Sequence, residues 1–356
     1  MPHALADVCV SSGCSVRDAM SCIDRSGCGI ALVVDNTMHL LGTISDGDYR
    51  RAVLAGYNLD TSVNVLLEQK INTPFDYPIT AMNGSTPDEL LDKMRLHGVR
   101  QIPIIDDNKK VINFARIDDL MPSQELPLRA VVMAGGFGTR LRPLTNDMPK
   151  PMLEVGGKPV MEHVVEQLKN AGIRHVSIAT HYKPEQIEKY FGDGSAFGVQ
   201  LSYVNEDKPL GTGGALGLMQ VPDSPLLIIN GDIITHVNFR SMLSYHQEHK
   251  ADMTVAVRQY SMQVPFGVVE YDGPRILNIS EKPLVNYMVN AGIYLIEPLV
   301  YQFIPRGESF HMTDLIGWLR KADKLVVGFP VTEYWLDIGQ HDDYIKAQKD
   351  AKNEKL

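Results

Sequence analysis

The chain has 356 residues, 44% of them hydrophobic and 22% charged, with a net charge of −9. At roughly 100–200 residues per domain, two or three domains with ordinary cores are expected. The acidic balance excludes a general nucleic-acid binder, which needs basic patches to displace phosphate counterions, and no apolar run reaches the roughly 18 residues of a membrane span.

The opening stretch, Met1 to Cys14, has no basic region followed by an apolar core, so no secretory signal is read and a cytoplasmic location is expected. Cys9, Cys14, Cys22 and Cys28 lack C-x-x-C spacing; they read as reduced thiols, with a zinc site as the alternative. The first part, to about residue 122, holds a diverged internal repeat offset by roughly 70 residues. In the first copy Ser15 to Asp18 caps a short helix. Apolar runs Ile30 to Val34 and Leu40 to Ile44 follow, separated by a turn at Asp35-Asn36, and then a helix from Tyr49 to Ala55. In the second copy Thr86-Pro87-Asp88-Glu89 is a capping box, Leu90, Leu91 and Met94 give an apolar helix face, and Gly98 ends it. Runs Ile102 to Ile105 and Val111 to Phe114 lead to Asp118-Asp119 and Leu120-Met121. A β-β-α unit cannot cover its own sheet, so two copies should pack together.

This order, with Gly42-Thr43-Ile44-Ser45-Asp46-Gly47-Asp48, resembles a CBS pair over about the first 120 residues. The resemblance implies an adenine nucleotide with its phosphate and ribose on Ser45 and Asp48. The alternative is that both only cap the next helix. The second copy has Ile112, Ala115 and Asp118 at the corresponding positions, so its hydroxyl is missing. CBS pairs often associate in twos, so a homo-oligomer is expected. The boundaries read as 1–122 for this pair, 123–127 for a Pro-bracketed linker, and 128–356 for the remainder.

The remainder alternates strands and helices. Ala130 to Met133, Val176 to Ala179 and Leu226 to Ile229 are strands; Val160 to Ala171 and Pro184 to Phe191 are helices. The class is α/β, with a Rossmann-like, mostly parallel sheet preceded by an α+β pair. Ligands of such sheets bind beyond the carboxyl ends of the strands. Met133, Ala134, Gly135, Gly136, Gly138 and Thr139 lie there, and glycines let backbone N–H groups approach anionic oxygens. Arg140 and Lys150 add positive charge, and Pro149 and Pro151 keep Lys150 out of a helix interior. The spacing fits neither a P-loop nor a dinucleotide fingerprint. A loop of this kind suits a triphosphate.

The string from Ala134 to Pro159 resembles the N-terminal signature of the sugar-1-phosphate nucleotidyltransferases, a GT-A-like fold, and the similarity runs to about residue 345. The resemblance implies in-line attack of a sugar 1-phosphate on the α-phosphorus of an NTP, releasing pyrophosphate. Arg140, Lys150 and Lys282 are the catalytic candidates. Asp232 and Asp337 are the metal candidates, for Mg²⁺. Gly211 and Thr212 would contact the nucleotide, with Glu206 just upstream, and Gly267, Glu281 and Asn290 would contact the sugar. The signature is similar both to guanylyl-type enzymes acting on mannose 1-phosphate and to uridylyl- or thymidylyl-type enzymes acting on glucose 1-phosphate. The CBS fusion is similar to a subgroup making GDP-glucosamine, so GTP and glucosamine 1-phosphate or mannose 1-phosphate are favoured. A catalytically inactive nucleotide-binding regulator is the reading from another class; retention of Arg140, Lys150 and both aspartates argues against it. His163, His181 and His311 read as packed or surface residues.

Overall fold

The computed structural model describes residues 5–71, 76–120 and 125–353. Ser123 and Gln124 of the expected linker, and Met121 and Pro122 at the end of the expected pair, lie outside them. The chain forms two compact units, 1–124 and 125–356, and no described helix is long and apolar enough to cross a membrane.

The first unit runs β1 (Cys9–Ser11), α1 (Val16–Ser26), β2 (Ile30–Val34), β3 (Leu40–Ser45), α2 (Asp46–Leu54) and α3 (Val63–Lys70). It continues with β4 (Ala81–Met82), α4 (Pro87–His97), β5 (Gln101–Ile105), β6 (Val111–Arg116) and α5 (Ile117–Leu120). Two three-stranded sheets result, β1-β2-β3 and β4-β5-β6, each with one parallel and one antiparallel pairing. Reciprocal caps set where the helices begin: Ser15 with Asp18 and Thr86 with Glu89 each satisfy two free helix-end donors. Gly27 (φ +61°) and Gly98 (φ +64°) end them in the left-handed region. β2 is buried along its whole length. Ala31 and Val33 face one apolar cluster, and Ile30, Leu32 and Val34 the other, as the two-residue period of a covered strand requires.

The second unit begins with β7 (Arg129–Met133), β8 (Glu154–Val155), β9 (Lys158–Pro159), α6 (Val160–Asn170), β10 (His175–Thr180), α7 (Pro184–Phe191), β11 (Gln200–Asn205) and α8 (Gly211–Gly214). Next come β12 (Leu226–Asn230), β13 (Ile233–Thr235), α9 (Phe239–Glu248), β14 (Met253–Gln263), β15 (Val268–Asp272), β16 (Arg275–Ser280) and β17 (Leu284–Ile296). It closes with α10 (Met312–Lys321), β18 (Val326–Val331), β19 (Trp335–Asp337) and α11 (His341–Lys352). Leu126 is buried in its core, and its N–H donates to Gly172 O at 3.0 Å.

Seven strands form the central sheet in the order β11-β10-β7-β12-β17-β14-β18. The first four are mutually parallel, β17 is antiparallel to both neighbours, and β18 is parallel to β14. In β12, Leu227 and Ile229 join a core that includes Val164, Ile187 and Met242 of α6, α7 and α9. Leu226 and Ile228 join the opposite core, with Leu315 and Leu319 of α10. Helices therefore cover both faces, and the continuous apolar run of β12 follows from that burial.

Candidate active site

The parallel strands end in register: Asn230 lies opposite Met133, Met133 opposite Ala179, and Thr180 opposite Asn205. The chain leaves the sheet just beyond, after final ladder bonds from Gly231 N to Met133 O, Ala134 N to Ala179 O and Glu206 N to Thr180 O, each 2.8 Å. The residues expected to carry chemistry follow directly. Gly138 has φ +62°, and a Cβ there would lie 2.9 Å from Thr145 Cγ2 and 3.0 Å from Lys150 Cβ. Thr145, fully buried, donates from Oγ1 to Gly138 O at 2.8 Å. The glycine loop thus folds back on itself and lies against Lys150, leaving no room for a side chain at position 138.

Lys150 is buried, and its Nζ pairs with Asp232 and lies 3.8 Å from Asp337 Oδ1. A short ladder unites these aspartates, which lie about a hundred positions apart in the chain. β13 pairs antiparallel with β19, placing Ile233 opposite Asp337, and Ile338 N donates to Asp232 O at 3.0 Å. Trp335 Nε1 donates to Ala291 O at 2.8 Å and fixes β19 against β17. Burial, reinforced by the charge of Asp232, pushes the Asp337 carboxyl up to about 6; Lys150 and Arg140 oppose this. Arg140 is exposed, with Nη1 3.8 Å from the position of a Cβ on Gly339.

Oδ1 of Asp232 and Oδ1 of Asp337 are buried without hydrogen-bond donors. No cluster of three or more His, Cys, Asp or Glu able to hold a metal occurs among the described residues. Two under-coordinated carboxylates fit a hard divalent cation that takes its remaining oxygens from substrate phosphates and water, and do not form a complete protein cage.

A second group surrounds Glu206. This buried carboxylate accepts from Leu210 N at 2.8 Å through Oε2, and burial holds it above the ordinary carboxyl range. A Cβ on Gly135 would fall 2.9 Å from its Oε1, so the carboxylate lies against the glycine loop. Gly211 has φ +80°, and a Cβ there would meet His311 Cε1 and Phe310 O, both at 2.8 Å. Met312 N donates to Thr212 Oγ1 at 3.1 Å, tying this loop to the start of α10. His311 is exposed beside it, with Nδ1 3.5 Å from Thr212 N. Chain separation hides that proximity in the sequence, where no spacing signals it. His163 bonds Val155 O at 2.9 Å and His181 bonds Glu206 O at 2.8 Å, both packing roles.

The sugar-side candidates lie on β14 to β17. A Cβ on Gly267 would be 3.1 Å from Glu281 Oε2. Asn290 donates from Nδ2 to Tyr294 Oη at 2.8 Å and accepts from Gly292 N at 3.0 Å, so its amide already orients its own strand. Gly292 (φ +69°) abuts Asn230, whose Nδ2 would lie 2.6 Å from a Cβ. Lys282 is exposed, with φ +46°; its carbonyl accepts from Gln263 Nε2 at 3.5 Å, and its side chain has no hydrogen bond or ion pair among the described residues. The structure therefore brings Lys150, Asp232 and Asp337 together beside the glycine loop and Arg140, and leaves Lys282 outside that cluster. In the first unit Ser45 and Asp48 form the cap of α2: Ser45 Oγ donates to Asp48 Oδ2 at 2.7 Å, and Asp48 also pairs with Arg51 at 2.7 Å and Lys70 at 2.5 Å.

A glycine loop, a lysine between two aspartates and a parallel sheet ending beneath them define a nucleotidyl transferase fold and site. That family matches residues 129–354, and CBS domains match residues 6–55 and 74–123; the chain belongs to the nucleotidyl transferase family. It is 35% identical over 229 residues to mannose-1-phosphate guanylyltransferase of Mycobacterium tuberculosis, covering 62% of this chain and 64% of that protein. It is likewise 35% identical over 225 residues to mannose-1-phosphate guanylyltransferase catalytic subunit beta of Drosophila melanogaster, covering 61% of each. The chain thus spans less than two thirds of these relatives. Among solved structures, HddC from Yersinia pseudotuberculosis complexed with GMP-PN is similar, with TM-score 0.50 and 25% identity over 62% of this chain and 98% of that one.

Proposed function

We propose that the chain transfers a nucleoside monophosphate from GTP to a hexose 1-phosphate, forming an NDP-sugar and releasing pyrophosphate. The observation that carries this reading is Lys150, held between Asp232 and Asp337 at the carboxyl edge of the parallel strands. In the reaction a sugar-phosphate oxygen bonds to the α-phosphorus in line. The bond from that phosphorus to the bridging oxygen breaks, and pyrophosphate leaves with the electron pair. The nucleophile is already an anion, so the protein needs to align two anions and offset their charge. Lys150 stabilises the α-phosphate and Arg140 the β- and γ-phosphates, while Lys282 meets the incoming sugar phosphate. Glu281 and Asn290, with the backbone at Gly267, bind the sugar, and backbone N–H groups from Ala134 to Thr139 and at Gly211 and Thr212 bind the nucleotide. A divalent cation, with magnesium expected, would be held by Asp232 and Asp337 and would supply charge neutralisation at the phosphates.

The guanine preference rests on Glu206. Guanine presents two adjacent donors, N1–H and N2–H, and a carboxylate offers acceptors only. The relatives named as guanylyltransferases and the GMP-PN complex of HddC support the same base. Glucosamine 1-phosphate and mannose 1-phosphate are the favoured acceptors. A panel of four NTPs against several sugar 1-phosphates, read by pyrophosphate release, tests the assignment. GTP with an amino-hexose or mannose 1-phosphate should give the highest kcat/KM; preference for UTP or TTP with glucose 1-phosphate would replace it with the uridylyl or thymidylyl reading. Lys150→Ala should lower turnover by about 100-fold or more with an unchanged far-UV circular dichroism spectrum. Near-wild-type turnover in that variant defeats the mechanism.

A further inference from the structure

Lys150 reaches the site at the end of a segment with no regular structure. From Arg142 to Pro149 the chain forms neither helix nor strand. Its backbone-to-backbone hydrogen bonds are local turns, including Leu144 N to Leu141 O at 3.0 Å and Asn146 N to Pro143 O at 3.1 Å. Arg142 to Leu144 and Asn146 to Met148 are exposed. A stretch with few buried contacts opens easily on its own, so the aim of the ammonium that follows depends on what grips the stretch from outside. At its near end His341 Nε2 donates to Arg142 O at 2.9 Å.

Its far end is held from the turn between β10 and α7. Tyr182 Oη donates to Asn146 O at 2.8 Å and, less closely, to Thr145 O at 3.3 Å. Lys183 Nζ donates to Asn146 O at 3.0 Å and lies 3.6 Å from Asp147 Oδ1. Gln186 Nε2, in the first turn of α7, donates to Asp147 O at 2.9 Å. Consecutive carbonyls from Thr145 to Asp147 are thus met by side chains of one short stretch. Lys183 takes φ +50°, a left-handed conformation that is unfavourable for a lysine and persists where surrounding contacts fix it. Tyr182 also reaches the glycine loop, its ring centroid 5.6 Å from that of Phe137. Thr145 in turn donates to Gly138 O, and Gly138 abuts Lys150. One side chain therefore touches both ends of the signature, and the contacts run on from it to the lysine.

We propose that Tyr182 is a positioning residue for Lys150. With Lys183 and Gln186 it sets the path of residues 145–149, so the ammonium is aimed before the α-phosphate arrives. The proposal rests on the nucleotidyl transfer reading and adds to it a residue outside the glycine loop and the two aspartate segments. Misplacing by about 1 Å a charge that acts on the transition state costs on the order of 100-fold in turnover. Ground-state binding, spread over many backbone N–H groups, changes little. Loss of the Tyr182 hydroxyl is a milder change: Thr145 O loses its side-chain donor, while Lys183 still donates to Asn146 O.

The test uses the full chain with the NTP and sugar 1-phosphate that turn over fastest in the panel. Tyr182→Phe keeps the ring beside Phe137 and removes only the hydroxyl. It should lower kcat by about tenfold, with KM for the NTP within about twofold of the parent and an unchanged melting temperature. Amide hydrogen exchange over residues 138–150, measured without substrate, should speed up by roughly tenfold. The turnover ratio between the two α-phosphorothioate diastereomers of that NTP should move toward one, because a loosely aimed Lys150 discriminates the α-phosphate oxygens less. No turnover by the wild-type chain with any pair defeats the nucleotidyl transfer reading, and this proposal with it. With an active wild-type chain, an unchanged kcat, a raised KM with kcat intact, unaltered exchange or an unaltered diastereomer ratio in Tyr182→Phe each overturns the positioning role alone.

Discussion

A carboxylate beside a nucleobase reads donors, and an amide reads both donors and acceptors. Glu206→Gln keeps the size of the buried side chain and its acceptor for Leu210 N while changing what the base meets. The expected outcome is a fall in kcat/KM for GTP of roughly tenfold to a hundredfold, one charge-assisted hydrogen bond's worth, with the ratio of GTP to UTP turnover moving toward one. Competition between the two nucleotides in one tube measures that ratio directly. An unchanged ratio would remove Glu206 from base reading while leaving the Lys150 cluster intact. At this scale the sequence is informative where charge and glycine coincide. Lys150, Asp232 and Asp337 lie in three separate sequence motifs, and the structure joins them. His311 reads from the sequence as a surface or packed residue and is exposed in the structure; its proximity to Gly211 and Thr212 comes from folding across about a hundred positions and leaves no local spacing to read.

Among elements, the parallel half of the sheet was the legible part. β7, β10 and β12 are short apolar runs ending in polar or glycine residues, the pattern of strands covered on both faces. The capping signals at Ser15 and Thr86 were readable for a similar reason, since the free N–H groups of a helix start demand particular side chains at fixed offsets. β14 to β17 was not legible as a ribbon. Its outer half has no buried face, so its apolar residues carry no inward alternation, and Lys282 takes a positive φ that its residue type does not announce. Gly292 links the two halves, because its left-handed turn seats Asn230 at the end of β12. Gly292→Ala forces a side chain to φ +69° against Asn230 and Ile233. It should cost about 2 kcal/mol or more in stability, seen as a lower denaturant midpoint. Pyrophosphate release measured at a temperature where the variant stays folded should also fall, because Asp232 is two residues from the displaced asparagine.

On the scale of the whole chain, a CBS pair precedes the nucleotidyl transferase unit, and the two differ in how openly they display their chemistry. In the second unit, carboxylate oxygens lack partners; in the first, Ser45 and Asp48 are engaged with each other, Arg51 and Lys70. An adenine nucleotide at that position must compensate for those bonds. If the pair senses such a ligand, ATP, ADP or AMP at about a hundred times its Kd should stabilise the full chain by about 2.7 kcal/mol and change turnover. Scanning calorimetry unmoved by all three would leave the pair an architectural role. The ladder between β13 and β19 has a consequence for biosynthesis. Chains emerge N-terminus first at about 5–20 residues per second, so Asp232 leaves the ribosome seconds before Asp337 can follow. During that interval the glycine loop and Lys150 are already made, yet the ammonium faces one carboxylate instead of two. On the proposed reading the second carboxylate comes with β19, the last of the described strands, so a nascent chain stalled before Trp335 would lack it and should be silent.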